Sequence, residues 1–429
     1  MTPRALPPAP DPRTTVNRFA GGGVARLGDD FTDREVERAE IARSLKTPRG
    51  HIVVSGLRRM GKTSLLLAVK EEMEKAGAPV IYVDLWSTTT VEDMTTRLST
   101  AAVAAVGQRW QDMVTQLGQR LKFGFEISES PAGILMPVPK VELRDAPVAE
   151  QRKRLVDALD LLEELATKHK THLSVIIDEF QEIERLGSAR DRPKTTGQRK
   201  GAPGAAERHV SAMRQVRAAI QLHRHVTYLF AGSDRRLIEQ LHDEDGGALH
   251  NLGRKYEIGP IDPAHFARWI EEQFRLMGMN AQGMGQRVID VAGPRTRDVR
   301  TLAETVAELA RTTTVVSEAL IAEGMEAVVR QRRPTYEANW KQLTRVQQNI
   351  LRAVAAEGGG LARQEVRRKF GLGEASTATK TVDALAERAV VLRDGGAVLF
   401  DDPFYRAWVI TSVLPDVGVH RPITYVPQT

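Results

Sequence analysis

Nearly uninterrupted apolar runs punctuate the first part of the chain: Ile52-Val53-Val54, Val80-Ile81-Tyr82-Val83, Leu173-Ser174-Val175-Ile176-Ile177 and Val226-Thr227-Tyr228-Leu229-Phe230-Ala231. A run of this kind reads as a strand covered on both faces. A fifth and weaker run is Lys255-Tyr256-Glu257-Ile258-Gly259-Pro260. Helical spacing fills the intervals. Val36, Ala39, Ile41, Ala42 and Leu45 precede the first run, and Ser64 to Lys75 follow it. Thr90 to about Val106, Val148 to Lys168 and Ala206 to His223 continue the alternation. Strands alternating with helices predict an α/β fold, a parallel sheet with helices on both faces. Within 107–148 only Phe123–Ile127 and Val138–Leu143 alternate, which suggests a hairpin.

After Pro263 the pattern is helical throughout, over 263–276, 283–291, 297–311 and 314–330, as expected of a helical lid. It changes again at Tyr336. A helix over 336–356 carries Leu343, Val346, Ile350, Leu351 and Val354. Leu361 to Phe370 forms a second, and Ser376 caps a third from Thr377 to Ala389. Val390 to Phe400 then reads as a hairpin turning at Asp394-Gly395-Gly396. Three helices and a hairpin predict a winged helix-turn-helix, with a last helix starting at Asp402-Pro403-Phe404. Residues 1–28, rich in Pro, Gly and Arg, read as a disordered or loosely laid tail.

Candidate chemistry sits where the runs end. Gly56, Gly61, Lys62 and Thr63 fit G-x-x-x-x-G-K-[ST], the phosphate-binding P-loop, between a strand and a helix. Its glycines let backbone N–H groups converge on an anion, and the helix after it adds the positive end of its dipole. Lys62 can reach the β- and γ-phosphates, and the Thr63 hydroxyl can ligate Mg²⁺. The third run ends in Asp178 and Glu179 at the carboxyl edge of the sheet. There Asp178 would hold Mg²⁺, and Glu179 would act as general base toward the attacking water. Ser233 ends the fourth run, a sensor position or a helix cap. Phe31 to Arg34 border the adenine pocket or form an ordinary helix start. Arg297, in Gly293-Pro294-Arg295-Thr296-Arg297, is a candidate for the nucleotide phosphates.

Composition narrows the setting. The chain has 429 residues, 41% hydrophobic and 27% charged, which suits two or three globular domains. No cysteine is present, which excludes disulfides, thiolate metal sites and cysteine nucleophiles and fits a cytoplasmic protein. No apolar run is long enough for a membrane span, and Met1 to Pro10 lack the apolar core of a secretory signal. The net charge of +6 permits an acidic partner. Between Arg185 and Ala206 six basic residues, among them Arg199 and Lys200, face one acid, Asp191. This Gly/Pro-rich insert is either a solvated loop or an arm for a phosphate backbone. On the third winged-helix helix, Ser376, Thr377 and Lys380 could contact duplex DNA, although winged helices also bind proteins. His223 and His225 read as surface residues, not metal ligands.

Phe31-Thr32-Asp33-Arg34-Glu35, Gly56-Leu57-Arg58-Arg59-Met60-Gly61-Lys62-Thr63-Ser64, Ile177-Asp178-Glu179-Phe180-Gln181, Phe230-Ala231-Gly232-Ser233 and Asp402-Pro403-Phe404 together resemble the archaeal-type P-loop ATPase family. That family lies near the STAND signalling ATPases and the AAA+ origin-recognition ATPases. The resemblance spans about residues 30–415. It implies an ASCE P-loop NTPase sheet with a central P-loop strand, a helical lid and a C-terminal winged helix. The expected division is a tail (1–28), an ATPase core (29–262), the lid (263–332) and the winged-helix domain (333–429). By this resemblance Gly56, Arg59 and Gly61 through Ser64 contact ATP, with Arg34 beside it. Asp178 and Thr63 hold Mg²⁺, Lys62, Glu179 and Ser233 serve hydrolysis, and Arg254 is an arginine finger for a neighbouring subunit. The usual glycine before Arg34 is Asp33 here. The implied function is an ATP-driven switch that binds DNA, or else a STAND-like signalling ATPase whose winged helix meets protein partners.

Overall fold

The computed structural model describes residues 11–20, 25, 28, 31–106, 124–129, 135–140, 148–187, 212–242, 247–358, 360–394 and 397–414. The chain divides into two compact units, Ala25–Gly259 and Met1–Val24 with Pro260–Thr429.

The first unit is a parallel sheet of β1 (Ile52–Ser55), β2 (Val80–Asp84), β5 (Leu173–Asp178), β6 (Val226–Gly232) and β7 (Arg254–Glu257), in the order β2-β5-β6-β1-β7. β6 therefore takes the middle position, and β1 lies one strand in from the β7 edge rather than at the centre. The apolar runs have the expected consequence: every residue of β1, β5 and β6 is buried. β7 carries Arg254, Lys255 and Glu257, the charges that suit an exposed edge. Successive strand residues face opposite sides of the sheet. Val53, Val175 and Phe230 thus pack with α3 (Val91–Val106), α4 (Val148–Lys168) and α6 (Ala212–Ile220). Ile52, Val54, Ile176 and Leu229 pack on the other face with α1 (Glu35–Leu45) and α2 (Lys62–Lys75). Val36, read from its spacing as part of this core, is 68% exposed on α1. Two short helices, α5 (Gln181–Gly187) and α7 (Arg235–His242), follow β5 and β6. The expected hairpin is present as β3 (Gly124–Glu129) antiparallel to β4 (Leu135–Lys140).

The second unit has one continuous apolar core. Its elements are α8 (Pro263–Leu276), α9 (Gly285–Ala292), α10 (Thr296–Ala310), α11 (Glu318–Lys341), α12 (Arg345–Glu357), α13 (Gln364–Phe370), α14 (Ala375–Glu387), the hairpin β8 (Val391–Asp394) and β9 (Ala397–Phe400), and α15 (Pro403–Trp408). The boundary expected at 332/333 falls inside α11, which continues through Pro334. A proline deletes one helical hydrogen bond and can kink a helix without ending it. Lid and winged helix are further joined by ion pairs between Arg295 and Asp401, 3.0 Å apart, and between Arg332 and Asp402 at 3.5 Å. Glu374 holds the N-cap position of α14, so Ser376 is not its cap.

Part of the expected loose tail is packed. Phe19 is fully buried against Trp269 and Phe274. Asn17 donates to the Glu304 carbonyl and the Glu308 carboxylate, and Arg311 donates to the carbonyls of Pro12 and Thr15. Among the described residues no helix is long and apolar enough to cross a membrane.

Candidate active site

β1 delivers the chain at Ser55 and α2 takes it up at Lys62, leaving a short loop at the carboxyl edge of the sheet. The loop needs left-handed backbone at Arg59 (φ 70°) and Gly61 (φ 85°). Gly56 is fixed by crowding, since a Cβ there would lie 2.5 Å from the Ile258 carbonyl oxygen. Lys62 is buried, and its Nζ donates to the carbonyls of Gly56 at 2.9 Å and Leu57 at 3.1 Å. The lysine therefore ties the first turn of α2 to the start of the loop. Ser64 accepts from the Ala25 N–H at 3.1 Å.

Asp178 is the hub. One carboxylate oxygen accepts the Thr63 hydroxyl at 2.8 Å and the Tyr82 hydroxyl at 3.2 Å, and the other accepts the Glu179 N–H at 3.0 Å. Burial pushes Asp178 up to about 6, the Thr63 hydrogen bond opposes this, and the charges of Glu179 and Asp84 add to the rise. A buried carboxylate beside a hydroxyl is a hard oxygen set that fits Mg²⁺, and a cation would relieve its desolvated charge.

Glu179 takes a left-handed backbone (φ 54°) that turns the chain sharply out of β5. Its carboxylate accepts the Ser233 hydroxyl at 3.0 and 2.8 Å to its two oxygens. The Gln181 amide donates to one of the same oxygens. Asp178 pairs with Ala231 across β5 and β6, which brings Ser233, just past β6, alongside. Sequence reasoning found Asp178, Glu179 and Ser233 but gave Tyr82 and Gln181 no role. A hydroxyl inside the apolar β2 run and a polar residue two positions after the acidic pair are the available signals.

The remaining candidates are distributed. Arg34 is buried with φ 75°, donating to the Gly259 carbonyl and to Glu37 at 2.9 Å. Asp33 beside it has φ 63°, which explains the glycine that the resemblance expects there. Arg254 is exposed and donates to the Tyr256 hydroxyl at 3.1 Å. It pairs with Ile52, whereas Glu257 pairs with Ser55 at the loop. Three residues of strand are about 10 Å, so Arg254 stands away from its own phosphate loop. Arg297 is exposed on the first turn of α10, in the second unit. Arg58 stacks on Trp86 at 4.8 Å. Arg199 and Lys200 lie outside the described residues. Ser376, Thr377 and Lys380 are exposed on α14.

The reading of His223 as a surface residue is corrected. It is buried, bonded to the Tyr228 hydroxyl at 2.9 Å and to Asp160 at 3.0 Å. The chain turns into β6 here, so the residue caps the sheet's amino edge instead of facing solvent. Among the described residues no cluster of His, Asp and Glu could hold a metal by itself.

The family model described as an ATPase domain predominantly from Archaea matches residues 31–278. A model for a probable winged helix domain matches 334–411. Comparison with curated proteins finds no match. Among solved structures the chain is similar to the Walker-type ATPase PABY2304 of Pyrococcus abyssi, at 15% identity over 91% of this chain and 99% of that one, with a TM-score of 0.58. It is also similar to the Aeropyrum pernix ORC1 protein in complex with DNA, at 15% identity over 91% and 95%, with a TM-score of 0.47. The Aeropyrum pernix ORC2 protein in its ADPNP-ADP complexes matches at 15% identity over 94% and 99%, with a TM-score of 0.46.

Proposed function

Because the chain belongs to the family of ATPase domains found predominantly in Archaea, we propose that it is a cytoplasmic switch that hydrolyses ATP at the Gly56–Ser64 loop and couples nucleotide state to duplex DNA through its winged helix. The observation that carries this reading is the junction of Thr63, Asp178, Glu179 and Ser233, linked by hydrogen bonds at one sheet edge. Thr63 and Asp178 would hold Mg²⁺, which neutralises developing phosphate charge. The loop N–H groups and Lys62 bind the phosphates, with Arg59, Ser64 and Arg34 as further nucleotide contacts. Glu179 takes a proton from water as the water oxygen bonds to the γ-phosphorus. The bond from that phosphorus to the bridging oxygen breaks, ADP leaves with the electron pair, and the proton passes to the released phosphate. Arg254, remote from its own loop, serves a neighbouring subunit.

Exposed Ser376, Thr377 and Lys380 on α14 support DNA contact. The STAND-like alternative, in which the winged helix meets protein, is favoured by one observation: Lys380 is the only basic residue of α14. Duplex DNA affinity of Glu179→Gln loaded with ATP, compared with the ADP form, tests the coupling. The switch predicts different affinities in the two states. Equal or absent binding in both contradicts it and favours the signalling reading.

A further inference from the structure

Gln181 opens α5 two residues after Glu179 and is completely buried. Its Nε2 donates to Oε2 of Glu179. Its Oε1 accepts no hydrogen bond from any described residue. That oxygen faces Gly232. A Cβ at Gly232 would lie 2.3 Å from it, 3.1 Å from Ile238 Cδ1 and 3.2 Å from Phe180 Cε1. The amide therefore sits in an apolar niche that exists because position 232 has no side chain.

Leaving a buried amide oxygen unpartnered costs stability, because its hydration is lost without a replacement hydrogen bond. A methionine, of the same length and apolar, would fill the niche without that cost. Stability alone does not account for a glutamine here. What the amide serves is the Glu179 carboxylate, which also accepts the Ser233 hydroxyl at 3.0 and 2.8 Å. The turn that carries both residues is closed by the Glu182 N–H donating to the Glu179 carbonyl at 3.1 Å. Backbone and side chain of Glu179 are thus both fixed, the first by the turn and the second by two donors.

We propose that Gln181 is a positioning residue for hydrolysis: its amide and the Ser233 hydroxyl clamp the Glu179 carboxylate, and Gly232 is kept free of a side chain to admit that amide. The clamp rests on Glu179 being the general base of the proposed function. It does not touch ATP or water itself. It sets the direction in which the carboxylate receives the proton, and a displacement of about 1 Å at such a group can lower a rate by roughly 100-fold.

The test uses the full chain. ATPase turnover, ATP affinity and melting temperature are measured for wild type, Gln181→Met, Gly232→Ala, Glu179→Gln and the Glu179→Gln/Gln181→Met double variant. Gln181→Met is expected to lower kcat by about 10- to 100-fold. It should leave ATP affinity unchanged and hold or raise the melting temperature. Gly232→Ala, which pushes the amide from the other end, should also lower kcat. The double variant should be no slower than Glu179→Gln alone, because the clamp acts only through that carboxylate. Wild-type kcat in Gln181→Met, or a loss of kcat that merely follows lost stability and ATP affinity, overturns the clamp and assigns Gln181 to packing. If Glu179→Gln turns over like wild type, the base assignment itself fails and the clamp falls with it. If Glu179→Gln is inactive and Gln181→Met is not, only the clamp fails.

Discussion

The Thr63 hydroxyl donates to Asp178 across 2.8 Å, joining the end of the phosphate loop to the end of β5. These residues are 115 positions apart in the chain. The bond holds together the two oxygen groups that would hold a divalent cation. It also leaves Asp178 with its charge buried and only partly compensated. Asp178→Asn is expected to raise the melting temperature of the nucleotide-free protein, since it removes the charge and keeps the shape. The same change should abolish Mg²⁺-dependent turnover. Calorimetry beside an ATPase assay reads both, and a lower melting temperature would show that the charge stabilises the fold.

Gly56 faces a carbonyl, so nothing flexible can yield to a new side chain. Gly56→Ala must move either the loop or the Ile258 backbone, at an expected cost of about 1–3 kcal/mol. Because Lys62 holds the Gly56 carbonyl, the displacement reaches the phosphate site. ATP affinity, measured by titration calorimetry, should fall at least about tenfold.

His51 gives the fold a pH dependence remote from the phosphates. Its Nδ1 accepts the Tyr228 N–H at 3.1 Å. Burial, followed by the charges of His223 and Arg49, pushes its pKa down from 6.5 to about 4. Between these values the unfolded chain binds a proton that the folded chain refuses. The contribution to stability is therefore complete above pH 6.5 and is lost as the pH falls toward 4. Urea titrations at pH 7.5 and 5 should show this loss in wild type, and less of it in His51→Gln.

Lys380 is exposed on α14 and is that helix's only basic side chain. If it contacts a DNA phosphate, Lys380→Ala should reduce the slope of log affinity against log salt by about 1. An unchanged slope would place the DNA contact elsewhere or remove it.

Much of this was legible because burial on both sheet faces forces unbroken apolar runs. β5 and β6 stand out for that reason, and the phosphate loop follows from glycine spacing. What escaped the sequence depended on contacts between distant segments. Phe19 looked like part of a polar tail until Trp269 and Phe274 closed on it. The pattern change near Tyr336 reads as a domain boundary, yet α11 runs through it, Pro334 included, because a helix can absorb one missing hydrogen bond. His223 lies among polar residues in the sequence, but the strand start it precedes turns it inward onto Tyr228 and Asp160. Strand order also eluded the sequence, since parallel pairing leaves no local mark of which strand lies beside which.

In the proposed function, Glu179 is the residue that would turn a phosphate cradle into a hydrolysis site. The most direct measurement is ATP turnover of Glu179→Gln against wild type, at ATP concentrations shown to saturate both. The account predicts unchanged ATP binding with turnover reduced by at least about 100-fold. Turnover equal to wild type at equal occupancy would contradict it.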